Sequence, residues 1–530
     1  MRTTTPTRIA IVGGGPTAVY TLKNLLQKAG RMTITLFEAG KVAGCGIPYA
    51  EEFNTPDMMA NITSIEIPPV LISLADWVRV ADSGLLRRFG IDRETVSDRD
   101  FYPRVLIGAY YSEQLERLIA AGAQSGQQVT VETESRVTDV RPDASGFTVF
   151  VTKTKGNVRR RFDTVIMATG HLTDQNKAER DGGLYRSPYP VQDLKVGPDG
   201  AALILGSSLS GIDAVVALAS RYGQFTGEGD ALRYSLKGKQ KLRLVMASRK
   251  GVTPDADFYY PIPEEPLMVF TEARLEALQK QGKTGFLSRA MKLFKQQLAA
   301  DDPKFLADLG ISRFTPESFA KGYFGMRKAR QGFEAMAENL AESQKNYAER
   351  RIVMWRYTLM RAHEVFSQIV PFFDRKDLAR FRRYLVPVFA DAYGCVPHLS
   401  VQRLLALHRA GCLELAALGE TGVIRYGAGN FTLTGAGPEQ VFGTFIDARG
   451  QEMTSIRELG FTELDRALES KDFLRRSLRE SDDDQFRIPL GERMNPDIFC
   501  LSIPVMMKRY PFAQGLVACS DAAKLVAEAL

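Results

Sequence analysis

The sequence predicts an α/β protein built from two parallel-sheet folds and a mainly helical insertion. Three observations support this prediction. One glycine-rich turn follows a short apolar strand at residues 13–18, and a second follows another apolar strand at residues 206–211. Between about residue 266 and residue 412, apolar residues recur with the helical spacing of three and four positions. A chain of 530 residues also has the length of two or three domains.

The first turn is predicted to bind a dinucleotide. The strand Arg8–Val12 ends in the pattern G-x-G-x-x-A, and a helical pattern follows it. In such a turn the first glycine allows a sharp bend, the second lets a pyrophosphate approach the backbone, and the third small residue lets helix and strand pack closely. Free N–H groups at the helix start then hold the phosphates. The candidate cofactor-binding residues here are Gly13, Gly15, Pro16, Thr17 and Ala18.

An acidic residue at the end of the next strand strengthens this prediction. The strand Thr33–Phe37 is followed by Glu38, which lies 20 residues after Ala18. This is the spacing at which an acid reaches the ribose hydroxyls of a bound dinucleotide. A glycine-rich turn in an ordinary α/β domain is the alternative, and the combination of strand, turn, helix and acid counts against it.

Two later segments favour FAD as the dinucleotide. Glu38 is followed by a glycine-spaced loop at residues 40–49, including Gly46, of the kind that wraps a flavin. A buried strand at residues 162–167 ends in A-T-G, where small residues let the backbone pass beside the cofactor. Taken alone, the A-T-G segment could be a strand followed by a common turn. Together with the first glycine turn, however, this segment favours FAD, and Thr169 and Gly170 are further candidates for FAD binding.

A second nucleotide-binding fold is predicted after the first. The strand Ala202–Leu205 leads into G-x-S-x-x-G, in which Ser208 stands where glycine is usual but still offers its backbone N–H. The next strand ends in Ser248-Arg249 without an acid, and an arginine at this corner accommodates a 2′-phosphate. We therefore expect NADPH rather than NADH, with a solvated basic turn as the alternative for Arg249. The candidates are Gly206, Ser208, Gly211 and Arg249.

The later chain predicts how the two folds are completed. Residues 441–451 repeat the form of the A-T-G strand, which indicates a return to the second fold. The strand Phe499–Ile503 is followed by Gly515 and a helical pattern, as in flavoproteins whose last helix points at the flavin. The expected domains are an FAD-binding domain at 1–172, an NAD(P)H-binding domain at 173–265, a helical insertion or substrate region at 266–412, the return of the NAD(P)H-binding domain at 413–484, and the C-terminal part of the FAD-binding domain at 485–530.

Three residues are candidates for a direct role in the chemistry. His171 lies just beyond A-T-G and could approach the isoalloxazine or nicotinamide, or it could be a turn histidine bonded to backbone. Asp257 and Tyr259 follow the second phosphate corner, where ligands lie beyond the carboxyl ends of the strands. A prolyl linker with surface acids is the alternative for that segment.

Composition excludes several classes of protein. The net charge of +7 is scattered rather than gathered into a basic stripe with aromatics, so we expect no nucleic-acid partner. No apolar run approaches the ~18 residues of a membrane helix. The five cysteines form no C-x-x-C pair, and the four histidines show no metal-ligand spacing. These features, with an N-terminus that lacks an apolar signal stretch, predict a cytoplasmic protein without a metal or a redox disulfide.

Segments from both nucleotide folds also match one known group of proteins. They are residues 9–20 with Glu38, the G-C-G-I-P-Y loop at 44–49, M-A-N-I at 59–62, F-Y-P-R at 101–104 with G-A-Y at 108–110, A-T-G-H at 168–171 and S-R-K-G at 248–251. On these residues the chain resembles a bacterial FAD/NAD(P)-binding family that includes a flavin-dependent urate hydroxylase and the nitrosuccinate-forming aspartate N-monooxygenase. The resemblance implies that Asn61 and Arg104 contact the flavin or the pyrophosphate.

The resemblance implies an FAD-dependent NAD(P)H oxidoreductase. We expect a monooxygenase that acts on a small polar substrate with O₂, through a flavin C4a-hydroperoxide. The alternatives are an NADPH-dependent flavin reductase or oxidase without oxygen insertion, and a nonenzymatic flavin or NADPH sensor in which the helical insertion meets a partner. The Baeyer–Villiger pattern is absent after Gly170, which counts against ester-forming oxygenation.

Overall fold

The computed structural model describes residues 6–171, 183–427, 429–450, 454–468, 486–488, 490, 497–508 and 510–530. The chain forms two compact units. The first comprises Met1–Pro56, Ile62–Thr173 and Gln451–Leu530, and the second comprises Asp57–Asn61 and Asp174–Gly450.

The described residues form both parallel-sheet and helical regions. The strands are β1 (Thr7–Val12), β2 (Met32–Phe37), β3 (Gln128–Glu132), β4 (Ser135–Asp143), β5 (Gly146–Lys153), β6 (Gly156–Phe162), β7 (Thr164–Met167), β8 (Leu184–Tyr185), β9 (Ala201–Leu205), β10 (Gly223–Thr226), β11 (Arg233–Leu236), β12 (Arg243–Ser248), β13 (Leu413–Ala417), β14 (Val423–Gly427), β15 (Asn430–Thr434), β16 (Gln440–Phe442), β17 (Thr444–Asp447) and β18 (Asp497–Cys500). The α-helices are α1 (Pro16–Leu26), α2 (Leu74–Val80), α3 (Ser83–Arg88), α4 (Arg104–Gln124), α5 (Leu209–Tyr222), α6 (Glu272–Gln279), α7 (Phe286–Asp301), α8 (Pro303–Asp308), α9 (Pro316–Ala329), α10 (Gly332–Glu349), α11 (Met354–Ile369), α12 (Arg375–Arg380), α13 (Val386–Tyr393), α14 (His398–Arg409), α15 (Thr462–Leu468), α16 (Ile503–Met506) and α17 (Leu516–Ala529).

The first unit is built on a parallel sheet with the order β18-β7-β1-β2-β3. Central strand β1 is buried from Ile9 to Val12, as expected for an unbroken apolar run covered on both faces. Helix α1 packs against α4 and α17. A second, antiparallel sheet contains β4, β5 and β6.

The second unit repeats this plan. Its parallel sheet has the order β13-β12-β9-β17-β8, so the strand before the glycine turn again lies at the centre. Strand β17, which the sequence echo predicted, pairs with β9 as β7 pairs with β1. The predicted α/β class with two Rossmann-type sheets and a helical middle region is confirmed.

The helical layer of the second unit consists of α6–α14 and follows β12 along the chain. A dense aromatic core holds α7, α9, α11 and α13 together, with Phe294 contacting Phe319, Phe366 and Phe389. Among the residues that the structure describes, no helix has the length and apolarity needed to cross a membrane. The same residues contain no group of acidic, histidine and cysteine side chains able to hold a metal ion.

The expected return segment at 413–484 is divided between the units. Strands β13–β17 belong to the second unit, but the chain from Gln451 onward belongs to the first. The reason is local: α15 packs on β4, and the Glu463 N–H at its start donates to Asp139 Oδ2 at 2.9 Å. Residues 469–484 of that segment, and the expected boundary at 172–173, lie outside the described residues.

Candidate functional site

Gly13 forms a turn that no other residue could form. Its φ is +105°, and a Cβ placed on it would lie 2.2 Å from the carbonyl oxygen of Ala168. The Gly13 N–H donates to Phe37 O at 2.9 Å, and the Ala168 N–H donates to Val12 O at 2.8 Å. The first glycine is therefore locked between the carboxyl ends of β2 and β7, where ligands of parallel sheets bind.

Glu38 braces this turn from the end of β2. Its Oε2 accepts the Gly14 N–H at 2.9 Å, and its Oε1 accepts the Gly40 N–H at 2.6 Å. Each carboxylate oxygen can accept more than one hydrogen bond. The partly buried carboxylate therefore organises two backbone loops and still has acceptor capacity for ribose hydroxyls.

The loop at residues 40–49 packs tightly on the same turn. A Cβ on Gly15 would lie 3.3 Å from the Gly46 Cα, and Gly46 itself has φ +62°. At the far end of the loop, a Cβ on Gly108 of α4 would lie 2.3 Å from Tyr49 O. Burial raises the pKa of Tyr49, and the charge of Arg104 at the start of α4 opposes this rise. Arg104 is thus placed beside the loop.

The residues present fit a dinucleotide in the first fold. Helix α1 begins after Gly15 without a side-chain cap, although Pro16, Thr17 and Ala18 are buried there. Its first N–H groups and the positive end of its dipole are suited to a phosphate. The Thr169 hydroxyl is buried without a hydrogen-bond partner among the described residues. An uncapped helix start and an unpartnered buried hydroxyl are what a bound pyrophosphate would satisfy.

The second turn has the geometry of the first. Gly206 has φ +129°, and a Cβ on it would lie 2.5 Å from Ala448 O. The Gly206 N–H donates to Ala247 O at 2.8 Å, and the Ala448 N–H donates to Leu205 O at 2.8 Å. Gly206 and Ala448 therefore correspond to Gly13 and Ala168.

The other two positions of the pattern G-x-S-x-x-G differ in whether the fold requires glycine there. A Cβ on Gly211 would lie 2.3 Å from Gly206 O, so glycine is required for α5 to pack against the turn. Ser208 is the N-cap residue of α5, and its φ of −106° is open to any residue. Its side chain is exposed and makes no hydrogen bond to the start of the helix. Serine is tolerated by the fold and stands at the position that corresponds to Gly15 in the first turn.

The corner after β12 carries cations instead of an acid. Because Gly206 bonds to Ala247 as Gly13 bonds to Phe37, Ser248 takes the position of Glu38. Arg249 follows it, exposed and without an ion pair among the described residues. Lys250 points inward, with Nζ 2.8 Å from the centroid of the Phe324 ring, and burial lowers its pKa to about 8.

Asp257 and Tyr259 are held by the helical layer of the second unit. The Tyr347 hydroxyl donates to the Asp257 carboxylate, and the Ser343 hydroxyl donates to the Asp257 carbonyl. The Tyr259 ring packs edge-to-face on Tyr347, with centroids 5.9 Å apart. These contacts give both residues a structural task, which is to anchor the segment after β12 to α10.

The remaining candidates are distributed over the two units. Gly170, with φ +64°, and His171 end the described part of the segment after β7 in the first unit. Gly515 is the N-cap of α17, also in the first unit. Asn61 lies in the short segment Asp57–Asn61, which groups with the second unit.

One residue at the second turn was absent from the sequence candidates. Arg449 follows Ala448 as Thr169 follows Ala168, and both are followed by a glycine with positive φ, at +88° and +64°. The echo A-R-G was visible in the sequence. The contact of Arg449 with the glycine turn cannot be inferred from that echo, because it depends on which strand β17 pairs with.

Comparison with known proteins identifies the family of this chain. An FAD-NAD(P)-binding family matches residues 10–172, and a YdhS-like middle domain matches residues 271–393. The fold and its two turns thus define an FAD-NAD(P)-binding protein. The protein YdhS of Escherichia coli (strain K12) is 34% identical over 536 residues, which are 99% of this chain and 97% of YdhS. The chain belongs to the YdhS family.

Solved structures share the fold. The Kutzneria sp. 744 ornithine N-hydroxylase KtzI, with reduced FAD, NADP⁺ and L-ornithine, has a TM-score of 0.52 at 12% identity, over 99% of both chains. The reduced form of the ornithine hydroxylase PvdA from Pseudomonas aeruginosa has a TM-score of 0.53 at 12% identity, over 99% of this chain and 98% of its own. At this identity the likeness establishes the fold.

Proposed function

We propose that this protein is an FAD-dependent, NADPH-oxidising monooxygenase that acts on a small polar substrate. The observation that carries the proposal is the duplicated turn. Gly13 against Ala168 and Gly206 against Ala448 form equivalent phosphate sites, but one corner holds the acid Glu38 and the other holds Ser248 and Arg249. One site is therefore suited to a ribose with free hydroxyls, and the other to a ribose that carries a phosphate.

The chain's own residues have distinct tasks in this proposal. In the first fold the start of α1 holds the pyrophosphate, Glu38 binds the adenosine ribose, and Arg104 and Thr169 add contacts to the cofactor. In the second fold the turn at 206–211 holds the phosphates and Arg249 binds the 2′-phosphate. A bound FAD supplies hydride acceptance and oxygen activation, so the protein need only orient the partners and exclude water.

The substrate class rests on fold and resemblance rather than on a described pocket. KtzI and PvdA are ornithine hydroxylases by name. The motifs quoted in the sequence analysis resemble a family that includes a urate hydroxylase and an aspartate N-monooxygenase. We therefore propose a nitrogen-bearing small molecule as the substrate, and amino acids, purines and amines form the panel to test.

Oxygen consumption tests the proposal directly. The purified protein should carry FAD, and NADPH should reduce it anaerobically. In the presence of O₂ the true substrate should accelerate NADPH oxidation and lower the yield of H₂O₂ per NADPH, with an oxygenated product recovered. If every NADPH yields one H₂O₂ across the whole panel, the protein is an oxidase. If NADPH binds without reducing the flavin, the sensor alternative is favoured.

A further inference from the structure

Arg449 is fixed beside the phosphate turn of the second fold. A Cβ on Gly206 would lie 3.2 Å from the Arg449 backbone nitrogen, so the two residues are in contact through their main chains. The Arg449 side chain is 63% exposed and forms a two-point pair with Asp447: Nε donates to Oδ1 at 2.9 Å and Nη2 donates to Oδ2 at 2.6 Å.

The internal repeat assigns this position to the cofactor. In the first fold the corresponding residue is Thr169, whose Cα would lie 3.2 Å from a Cβ on Gly13. The Thr169 hydroxyl is buried there without a partner among the described residues, which points to a ligand. The residue after the alanine that follows β7 or β17 therefore lies beside the glycine turn in both folds.

The second fold also needs an additional phosphate contact. In the first turn Gly15 leaves room for a phosphate to approach the backbone. In the second turn Ser208 stands at that position with an exposed side chain, and a side chain there is expected to hinder the close approach that a glycine allows. An arginine reaches farther than a backbone N–H and binds phosphate oxygens through charge-assisted hydrogen bonds.

We infer that Arg449 binds the pyrophosphate of NADP(H) and replaces the close backbone approach that Ser208 prevents. This inference rests on the proposed function, in which the second turn takes a nicotinamide dinucleotide. Asp447 pairs with the guanidinium through two hydrogen bonds and so restricts the positions that the Arg449 side chain can take. Because the pyrophosphate is common to both nicotinamide cofactors, Arg449 supports affinity, while Arg249 supports the choice of NADP(H).

Isothermal titration calorimetry tests the inference. The FAD-loaded full-length protein is titrated with NADP⁺ and, separately, with NAD⁺. Arg449→Gln should raise the Kd of both nucleotides by the same factor, about tenfold or more, as expected for the loss of a charge-assisted hydrogen bond. Arg249→Ala should instead raise the Kd of NADP⁺ alone. Adding Ser208→Gly to Arg449→Gln should restore part of the affinity, because the backbone becomes accessible again.

Arg221→Gln is the matched control. It removes the same charge from an exposed arginine in the last turn of α5, about 18 Å along the helix from the phosphate turn at 1.5 Å per residue. The inference is overturned if Arg449→Gln binds both nucleotides like the unaltered protein, or if it weakens NADP⁺ alone. If the unaltered protein binds neither nucleotide, the proposed function fails together with this inference.

Discussion

Gly206 and Ala448 repeat, in the second unit, the contact that Gly13 and Ala168 make in the first. A Cβ on Gly206 would lie 2.5 Å from the Ala448 carbonyl oxygen, and a Cβ on Gly13 would lie 2.2 Å from the Ala168 carbonyl oxygen. Both glycines have positive φ. The alanines follow β7 and β17, which lie more than 100 residues along the chain from Gly13 and Gly206. Each of these strands nevertheless pairs with the strand that precedes the glycine, β1 or β9. This contact therefore marks the point in each fold where we propose that a nucleotide phosphate binds.

The first prediction concerns the second of these contacts. Gly206→Ala combines positive φ with a clash against a backbone carbonyl, and residues in such conformations cost on the order of 1–3 kcal/mol. We expect the variant to lose NADP⁺ binding and to keep its FAD, as measured by calorimetry and by the flavin-to-protein ratio. Gly238→Ala, with φ +59° and open space around it, separates the effect of φ from that of the clash. Unchanged NADP⁺ affinity in Gly206→Ala would contradict the assignment of the turn.

The second prediction concerns Glu38. In Glu38→Gln one acceptor oxygen becomes an NH₂ group that faces the N–H of Gly14 or Gly40, so a backbone donor loses its partner. Leaving such a group unsatisfied costs roughly 1–3 kcal/mol, and we expect FAD affinity to fall about tenfold or more. Equilibrium dialysis against FAD measures this change. Glu52→Gln, an exposed acid in the following loop, should bind FAD normally, and equal affinities of the two variants would refute the role of Glu38.

The third prediction concerns cofactor choice. The unaltered protein should be reduced faster by NADPH than by NADH in anaerobic stopped flow, because the exposed Arg249 can pair with the 2′-phosphate. Arg249→Ala should remove most of this preference and leave the rate with NADH nearly unchanged. Arg221→Ala carries the same charge change and should keep the preference. An undiminished preference in Arg249→Ala would remove Arg249 from this task.

Much of the fold could be predicted because its signals are local. The glycine spacing at Gly13 and the acid at Glu38 report a turn whose constraints are sterically strict, and they lie within one strand-helix-strand unit. The role of Arg449 could not be found in this way. The echo at residues 441–451 indicates a return to the second fold, but the contact of Arg449 with the glycine turn depends on the register in which β17 pairs with β9, some 240 residues away.

The same limit explains two other differences. The carboxylate of Asp257 was a site candidate by position, but its partner Tyr347 lies 90 residues further along the chain. The second unit ends at Gly450, within the expected segment 413–484, because α15 packs on β4 and the Glu463 N–H donates to Asp139. Long-range hydrogen bonds, rather than periodicity, decide both cases.

The fourth prediction concerns pH. Burial lowers the pKa of Lys250 to about 8, with Asp391 opposing this shift and Arg249 and Lys328 adding to it. The pKa of a lysine in the unfolded chain is ~10.4. Between pH 8 and that value the unfolded state therefore binds more protons at this position than the folded state does. The free energy of unfolding that this lysine contributes thus rises with pH from about 8 upward. Lys250→Met should therefore show a flatter dependence of the free energy of unfolding on pH from 8 to 10 in urea titrations. Lys239→Met, at an exposed lysine before β12, is the control, and equal slopes in all three proteins would contradict the prediction.

The last prediction concerns α17. This helix packs on α1, buries Leu516, Cys519 and Val526, and accepts a hydrogen bond from Lys28 Nζ at Ala527 O, at 2.6 Å. Its removal would expose the face of α1 that supports the first phosphate turn. A chain ending at Gly515 should therefore fail to retain FAD on gel filtration, although terminal helices are often dispensable.

A pair of point variants distinguishes loss of this packing from general damage by truncation. Ala523 is fully buried against the core and Leu525 is 42% exposed, so Ala523→Asp should lose FAD and Leu525→Asp should keep it. An aspartate at the buried position cannot be solvated unless the packing around α17 opens. If the truncated chain elutes with a full complement of FAD, α17 does not support the first phosphate turn and is an independent element of the first unit.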